Sequence, residues 1–161
     1  MSSRAGSANA EYVNARVRSR RAGLYDEESY RRLLRTSPAE IARDMEESAY
    51  SREINELGSR FDGVDLIEYA LNRNLARQFD DLLGWAEGSL YDLLVRYLRK
   101  FDAWNVKTLL RGVYSGTEPE EVRVDMIRAG ELDDDRLDRL ADAGSIEAIV
   151  GGLSDTVFGG A

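Results

Sequence analysis

Part of this chain occurs twice, and that constrains its fold more than anything else in it. Residues 22–34 read AGLYDEESYRRLL and residues 129–141 read AGELDDDRLDRLA, which keeps Ala22 with Ala129, Gly23 with Gly130, Arg32 with Arg139 and Leu33 with Leu140. After one inserted residue, 37–50 (SPAEIARDMEESAY) runs beside 145–158 (SIEAIVGGLSDTVF), placing Ser37, Ile41, Met45 and Tyr50 opposite Ser145, Ile149, Leu153 and Phe158. Repeated units stack because one unit cannot bury its apolar face alone. The second copy ends three residues after its last match, which reads as the opening of a longer array. The alternative is a chance likeness between two short amphipathic helix pairs. The period exceeds the roughly 20–50 residues usual for solenoids.

The rest of the pattern is helical. Both prolines sit at helix starts: Ser37-Pro38-Ala39-Glu40 is a capping box with Pro at the first helical position, and Thr117-Glu118-Pro119-Glu120 has the same logic. Asp26 and Asp133 are the expected caps of the helices between. An N-terminal helix is expected over about 9–22. In 64–83, Val64, Ile67, Leu71, Leu75, Phe79 and Leu82 recur every three or four residues, and in 89–111 so do Leu90, Leu94, Tyr97, Phe101 and Trp104. Each set marks one face of a helix. Gly112, preceded by Lys107 and Arg111, reads as the end of the second helix. The short link at 84–88 predicts that the two helices form an antiparallel pair at the core. No stretch alternates long enough to predict a strand.

Composition narrows the chemistry. The 161 residues suit one ordinary domain, and 43% hydrophobic residues are enough for a core. There is no histidine and no cysteine, which removes disulfides, thiol nucleophiles, the usual zinc sites and the commonest general base; the lack of cysteine fits an intracellular protein. No apolar run reaches the ~18–20 residues that cross a bilayer, and MSSRAGSANA lacks the apolar core of a signal peptide. A net charge of −8 argues against a general nucleic-acid binder. Apart from Lys100 and Lys107 the cations are all arginines, a balance found in cytoplasmic proteins of salt-loving archaea and also produced by a GC-rich genome.

Few residues carry a candidate chemistry. Asp80-Asp81, Glu27-Glu28, Glu120-Glu121 and Asp133-Asp134-Asp135 are adjacent carboxylates. Most fall in helix first turns, where the dipole favours negative charge, and they lack the ligand spacing of a calcium loop. Gly151-Gly152 and Gly159-Gly160 are not followed by the Lys-Ser/Thr of a phosphate loop. The reading is therefore of a chain with no catalytic set, no metal site and no cofactor. Arg16, Arg18, Arg20 and Arg21 gather positive charge on one helix, either as a solvated face or as a docking surface for an acidic partner. Tyr97, Phe101 and Trp104 read as core. Asn105 and Lys107 are out of place among apolar neighbours, and a buried amide at 105 would satisfy neighbouring backbone.

Four segments taken together carry a family likeness: Tyr12-Val13-Asn14-Ala15-Arg16-Val17-Arg18, Ser37-Pro38-Ala39-Glu40-Ile41, the run LIEYALNRNLARQF from Leu66 to Phe79, and Trp104-Asn105-Val106-Lys107-Thr108-Leu109-Leu110-Arg111-Gly112. In this order, over about residues 11–150, they resemble the C subunit of archaeal-type (A-type) ATP synthases, whose eukaryotic counterpart is the d subunit of the vacuolar (V-type) ATPase. The resemblance implies an all-helical funnel of three similar units in a protein roughly twice this length. The chain would then be a truncated N-terminal portion: a flexible N-terminus (1–8), a first helical repeat unit (9–116) and the start of a second (117–161), in an all-α antiparallel helical bundle. It further implies a non-catalytic central-stalk protein on the cytoplasmic face of the cell membrane. Its partners would be the rotor ring of ion-carrying subunits and the central shaft, with torque passing between them for proton- or sodium-coupled ATP synthesis. Nucleic acid would not be a partner, and the chain would not itself span the membrane. A free-standing helical interaction or assembly module is the alternative. With its unit incomplete, 129–158 is expected to be less stable than 9–112, with Leu137, Leu140, Ile146, Ile149 and Leu153 more exposed than their first-copy equivalents unless they fold back on the core.

Overall fold

The computed structural model describes residues 7–159, and they are all-α. Among the described residues nine helices follow one another: α1 (Ala10–Arg21), α2 (Glu27–Leu33), α3 (Pro38–Glu46), α4 (Ser51–Leu57), α5 (Gly63–Trp85), α6 (Gly88–Ser115), α7 (Pro119–Asp125), α8 (Asp134–Ala141) and α9 (Ile146–Gly152). They fall into two compact units, Met1–Leu94 and Val95–Ala161. The flexible segment expected over 1–8 lies outside the described residues as far as residue 6.

Caps set the helix starts. Ser37 and Glu40 form the reciprocal box: the Ser37 N–H donates to Glu40 Oε2 at 3.1 Å and the Glu40 N–H to Ser37 Oγ at 3.4 Å. Asp26 accepts from the Ser29 N–H at 2.8 Å and Asp133 from the Arg136 N–H at 2.7 Å. Thr117 does not cap α7. Glu118 occupies the cap position without a side-chain bond, and the Thr117 hydroxyl lies 2.7 Å from Ser115 Oγ instead. Nor does Gly112 end α6, which runs on to Ser115 and stops at Gly116 with φ +68°. Gly112 is small for another reason: a Cβ there would stand 2.4 Å from Val122 Cγ2, where α7 packs against α6.

In the first unit, Ala42 and Met45 of α3, Ile54 and Leu57 of α4, and Leu66 and Ala70 of α5 form one buried cluster. α1 adds Val13 and is tethered at its start by Asn9, which donates to the Trp85 carbonyl at 2.8 Å and accepts from the Glu87 N–H at 3.0 Å. In the second unit, Leu109 of α6, Val122 of α7, Leu137 and Leu140 of α8 and Ile149 of α9 form the other cluster, joined by Met126, Leu132 and Leu153. The sequence reading put the core between the segments 64–83 and 89–112. The buried clusters instead join α5 to α3 and α4, and the C-terminal half of α6 to α7, α8 and α9.

The repeat is structural down to its hydrogen bonds. α2 and α8 start from Asp26 and Asp133, and α3 and α9 from Ser37 and Ser145, whose Oγ accepts from the Ala148 N–H at 3.1 Å. Past the second helix of each pair, the Ser48 hydroxyl donates to the Met45 carbonyl and accepts from the Tyr50 N–H. Thr156 repeats this with Leu153 and Phe158. The second copy folds back on a core, the exception to its expected exposure, and Leu153 is as buried as its counterpart Met45. Leu137 is fully buried while its counterpart Tyr30 is 60% exposed. Leu140, Ile149 and Leu153 are buried as well, and among the five named residues Ile146 alone is exposed. The reason is that α6 and α7 cover the α8–α9 face through Leu109, Val122 and Met126.

Candidate partner-binding surfaces

The four arginines of α1 divide into two pairs. The guanidinium of Arg20 lies over the Trp85 ring at 4.4 Å, pairs with Asp81 at 2.6 Å and donates to Gln78 Oε1. Arg16 stacks on the same indole at 4.8 Å and on Tyr12 at 5.1 Å. These two hold α1 against the end of α5, through cation–π contacts of about 0.5–1 kcal/mol each at an exposed site and an ion pair of about the same worth. Arg18 and Arg21 are exposed and form no ion pair among the described residues. Of the four, Arg18 and Arg21 are the pair with no contact to α5 among the described residues.

Buried polar groups hold backbone in place. Glu53 of α4, almost wholly buried, accepts from Arg77 Nε at 2.6 Å and from Asn74 Nδ2 at 3.0 Å; Asn74 also donates to the Ala49 carbonyl at 3.1 Å. On α6, Asn105 is fully buried and clamps Ile127 from both sides, donating to its carbonyl and accepting from its N–H, each at 2.8 Å. A buried amide satisfying neighbouring backbone is what the sequence led one to expect there. Asp102 is equally buried and accepts from the Glu131 N–H at 2.8 Å and the Leu132 N–H at 3.1 Å. Burial pushes its carboxyl above the usual range, and the two backbone donors oppose that rise. A carboxyl with both oxygens engaged by backbone N–H groups is a bracket for the 126–132 segment.

The adjacent carboxylates are spread over different structural tasks. Asp81 takes Arg20, Glu120 takes Arg123 at 3.0 Å, Asp133 caps α8 and Asp134 lies 3.5 Å from Arg128. Among the described residues no three acidic side chains gather where they could hold a metal ion, and no helix is long and apolar enough to cross a membrane.

The sequence pattern missed one surface. On α6 from Val95 onward the buried positions are Val95, Leu98, Asp102, Asn105, Leu109 and Gly112, one residue beyond the stripe read as core. Trp104 is consequently 52% exposed and Tyr97 similarly so. They share the outward face with Lys100, Lys107, Arg111 and Tyr114. A signal was present: the chain's two lysines stand seven residues apart, two helical turns along one face.

Comparison with known proteins places this architecture. Residues 13–161 match the model of the ATP synthase (C/AC39) subunit family. The A-type ATP synthase C subunit of Haloferax volcanii is 66% identical over 154 residues, 96% of this chain and 44% of that protein. Its counterpart in Haloquadratum walsbyi is 68% identical over 153 residues, 94% of this chain and again 44% of that protein. The counterpart in Methanosarcina mazei is 40% identical over 153 residues, 95% of this chain and 42% of that protein. The chain thus spans less than half the length of these relatives. With a match running through both copies of its repeat, the chain belongs to the ATP synthase (C/AC39) subunit family.

Proposed function

We propose that this chain is the N-terminal portion of a non-catalytic central-stalk subunit of an A/V-type rotary ATP synthase. In this reading it sits at the cytoplasmic face of the membrane, between the ring of ion-carrying subunits and the central shaft, and passes torque from one to the other for proton- or sodium-coupled ATP synthesis. The family match over residues 13–161 carries the reading. The construction suits it: α5 and α6 have 23 and 28 residues, rods of roughly 35 and 42 Å at about 1.5 Å per residue, and buried polar brackets fix the segments around them. We further propose that the sequence units, 9–116 and 117–161, are those of a repeated helical module, with α6 covering the opening helices of the second.

Partner contact through α1 falls to Arg18 and Arg21, because Arg16 and Arg20 already hold α1 on α5. The test is affinity purification of the tagged chain from detergent-solubilised membranes that contain the other subunits of the complex. Ring and shaft subunits should co-elute, and Arg18→Glu with Arg21→Glu should reduce their yield while leaving helix content unchanged. Elution of the chain alone from the soluble fraction would favour the free-standing interaction module.

A further inference from the structure

We propose that the outward face of α6 between Tyr97 and Tyr114 is a docking site for an acidic amphipathic helix of a partner protein. Tyr97, Lys100, Trp104, Lys107, Arg111 and Tyr114 follow one another at intervals of three and four residues, so they form one stripe along the helix. The stripe is about 26 Å long at roughly 1.5 Å per residue. All six are exposed, Tyr114 to 87%.

Charge selects the occupant. From Val95 to Ser115 the chain has five cations and one carboxylate, within a protein of net charge −8. That one carboxylate, Asp102, is on the buried face and engaged by backbone N–H groups. Arg99 is paired with Glu131, and the cations of the stripe itself, Lys100, Lys107 and Arg111, form no ion pair among the described residues. Lys100 folds its ammonium over the Tyr97 ring at 3.8 Å. Exposed aromatics alternating with cations on a rigid element are the composition of an interface, where Tyr, Trp and Arg are enriched.

A helix is the occupant that fits this stripe along its length. The cations at 100, 107 and 111 follow α6's own helical period, so a helix lying parallel to α6 can meet them in register with carboxylates at i, i+7 and i+11 and lay its aliphatic side chains over Trp104 and Tyr97. A nucleic-acid strand is disfavoured: the face is the convex side of one helix rather than a groove, and the rest of the chain is strongly acidic. The same surplus of acid disfavours an anionic bilayer. This deepens the stalk reading by naming the class of partner, and rests on that reading only for where the partner is found.

The test is a titration of the purified chain with a synthetic 21-residue helical peptide. It bears Glu at i, i+7 and i+11 and Leu between them, and binding is followed by the fluorescence of Trp104 in a Trp85→Phe background. The peptide should shift the Trp104 emission to the blue. The triple variant Lys100→Glu, Lys107→Glu, Arg111→Glu should bind at least tenfold more weakly, and should recover binding to a peptide with Lys in place of Glu. Trp104→Ala with Tyr114→Ala, read by anisotropy of a labelled peptide, should also weaken binding while circular dichroism stays unchanged. Equal binding by the triple variant, no binding by the parent chain, or binding only to a 20-base single-stranded DNA or to phosphatidylglycerol vesicles would overturn the proposal. The titration uses none of the other proteins of the complex, so its outcome is separate from co-elution with the ring.

Discussion

A Cβ on Gly130 would lie 1.8 Å from a carboxylate oxygen of Asp102, so the backbone can close on that carboxylate only where no side chain intervenes. Its repeat counterpart, Gly23, would meet nothing nearer than the Arg20 carbonyl at 3.6 Å. The same letter in two copies thus answers to two environments. Gly130→Ala should destabilise the chain by about 1–3 kcal/mol through overpacking, and Gly23→Ala should stay within about 0.5 kcal/mol, both by urea denaturation. Asp102 makes a sharper test. Both of its oxygens accept, so Asp102→Asn puts an amide N–H₂ against a backbone N–H and leaves a buried donor unsatisfied. It should cost about 1–3 kcal/mol, even though it removes a buried charge. A neutral or stabilising effect would show that desolvation of the carboxylate outweighs the bracket. At Arg77, truncation to Ala leaves Glu53 buried with Asn74 as its remaining side-chain donor among the described residues. The expected loss is about 3 kcal/mol.

At the scale of helices, period and caps were legible and faces were not. Proline and Ser/Asp positions located α3, α8 and their neighbours because capping is local chemistry. The face turned inward depends on partners distant in sequence. In α5 the buried set is Leu66, Ala70, Asn74 and Ala76, while Val64, Leu71 and Leu75 are exposed. In α6 polar Asp102 and Asn105 are inside and Trp104 is outside. Size and apolarity mark the wrong stripe when the inner face must be small, for close approach, or must hold backbone. The α1 arginines were legible as a cluster, but their division was not, since Trp85 lies far along the chain. The repeat was legible; its burial was not, because the helices that cover the second copy, α6 and α7, precede it, whereas those packed on α3 in the first copy, α4 and α5, follow it. Amides of α8 should therefore exchange at least tenfold more slowly than those of α2. Faster exchange in α8 would restore the expectation that the second copy is the weaker one.

For the molecule as a whole, charge is arranged in local pairs. Three arginines of the second unit share five carboxylates: Arg123 reaches Asp142 at 2.5 Å, Glu120 at 3.0 Å and Asp138 at 3.5 Å, Arg128 reaches Asp138 at 2.5 Å and Asp134 at 3.5 Å, and Arg136 reaches Asp155 at 2.7 Å. The hydrogen bond from Arg128, then its charge and that of Arg123, hold Asp138 below its ordinary 3.8. A depressed carboxyl stabilises the fold above its unfolded-state pKa, and that contribution fades as pH falls through the folded value. Asp102, shifted upward, has the opposite sign: its contribution is complete below 3.8 and is lost as pH rises through its folded value. Unfolding midpoints should therefore drop below about pH 4. Arg128→Ala should flatten that drop and raise the pKa of Asp138, read from its carboxyl carbon shift by NMR.

The stalk assignment itself concerns motion. The chain has no cysteine, so Leu34→Cys, at a highly exposed position, gives a unique attachment point for a gold bead. In the complex assembled with this chain and immobilised through its catalytic head, the bead should rotate during ATP hydrolysis at the rate of the shaft. A bead that stays fixed while a shaft-bound marker turns would contradict a place in the rotor.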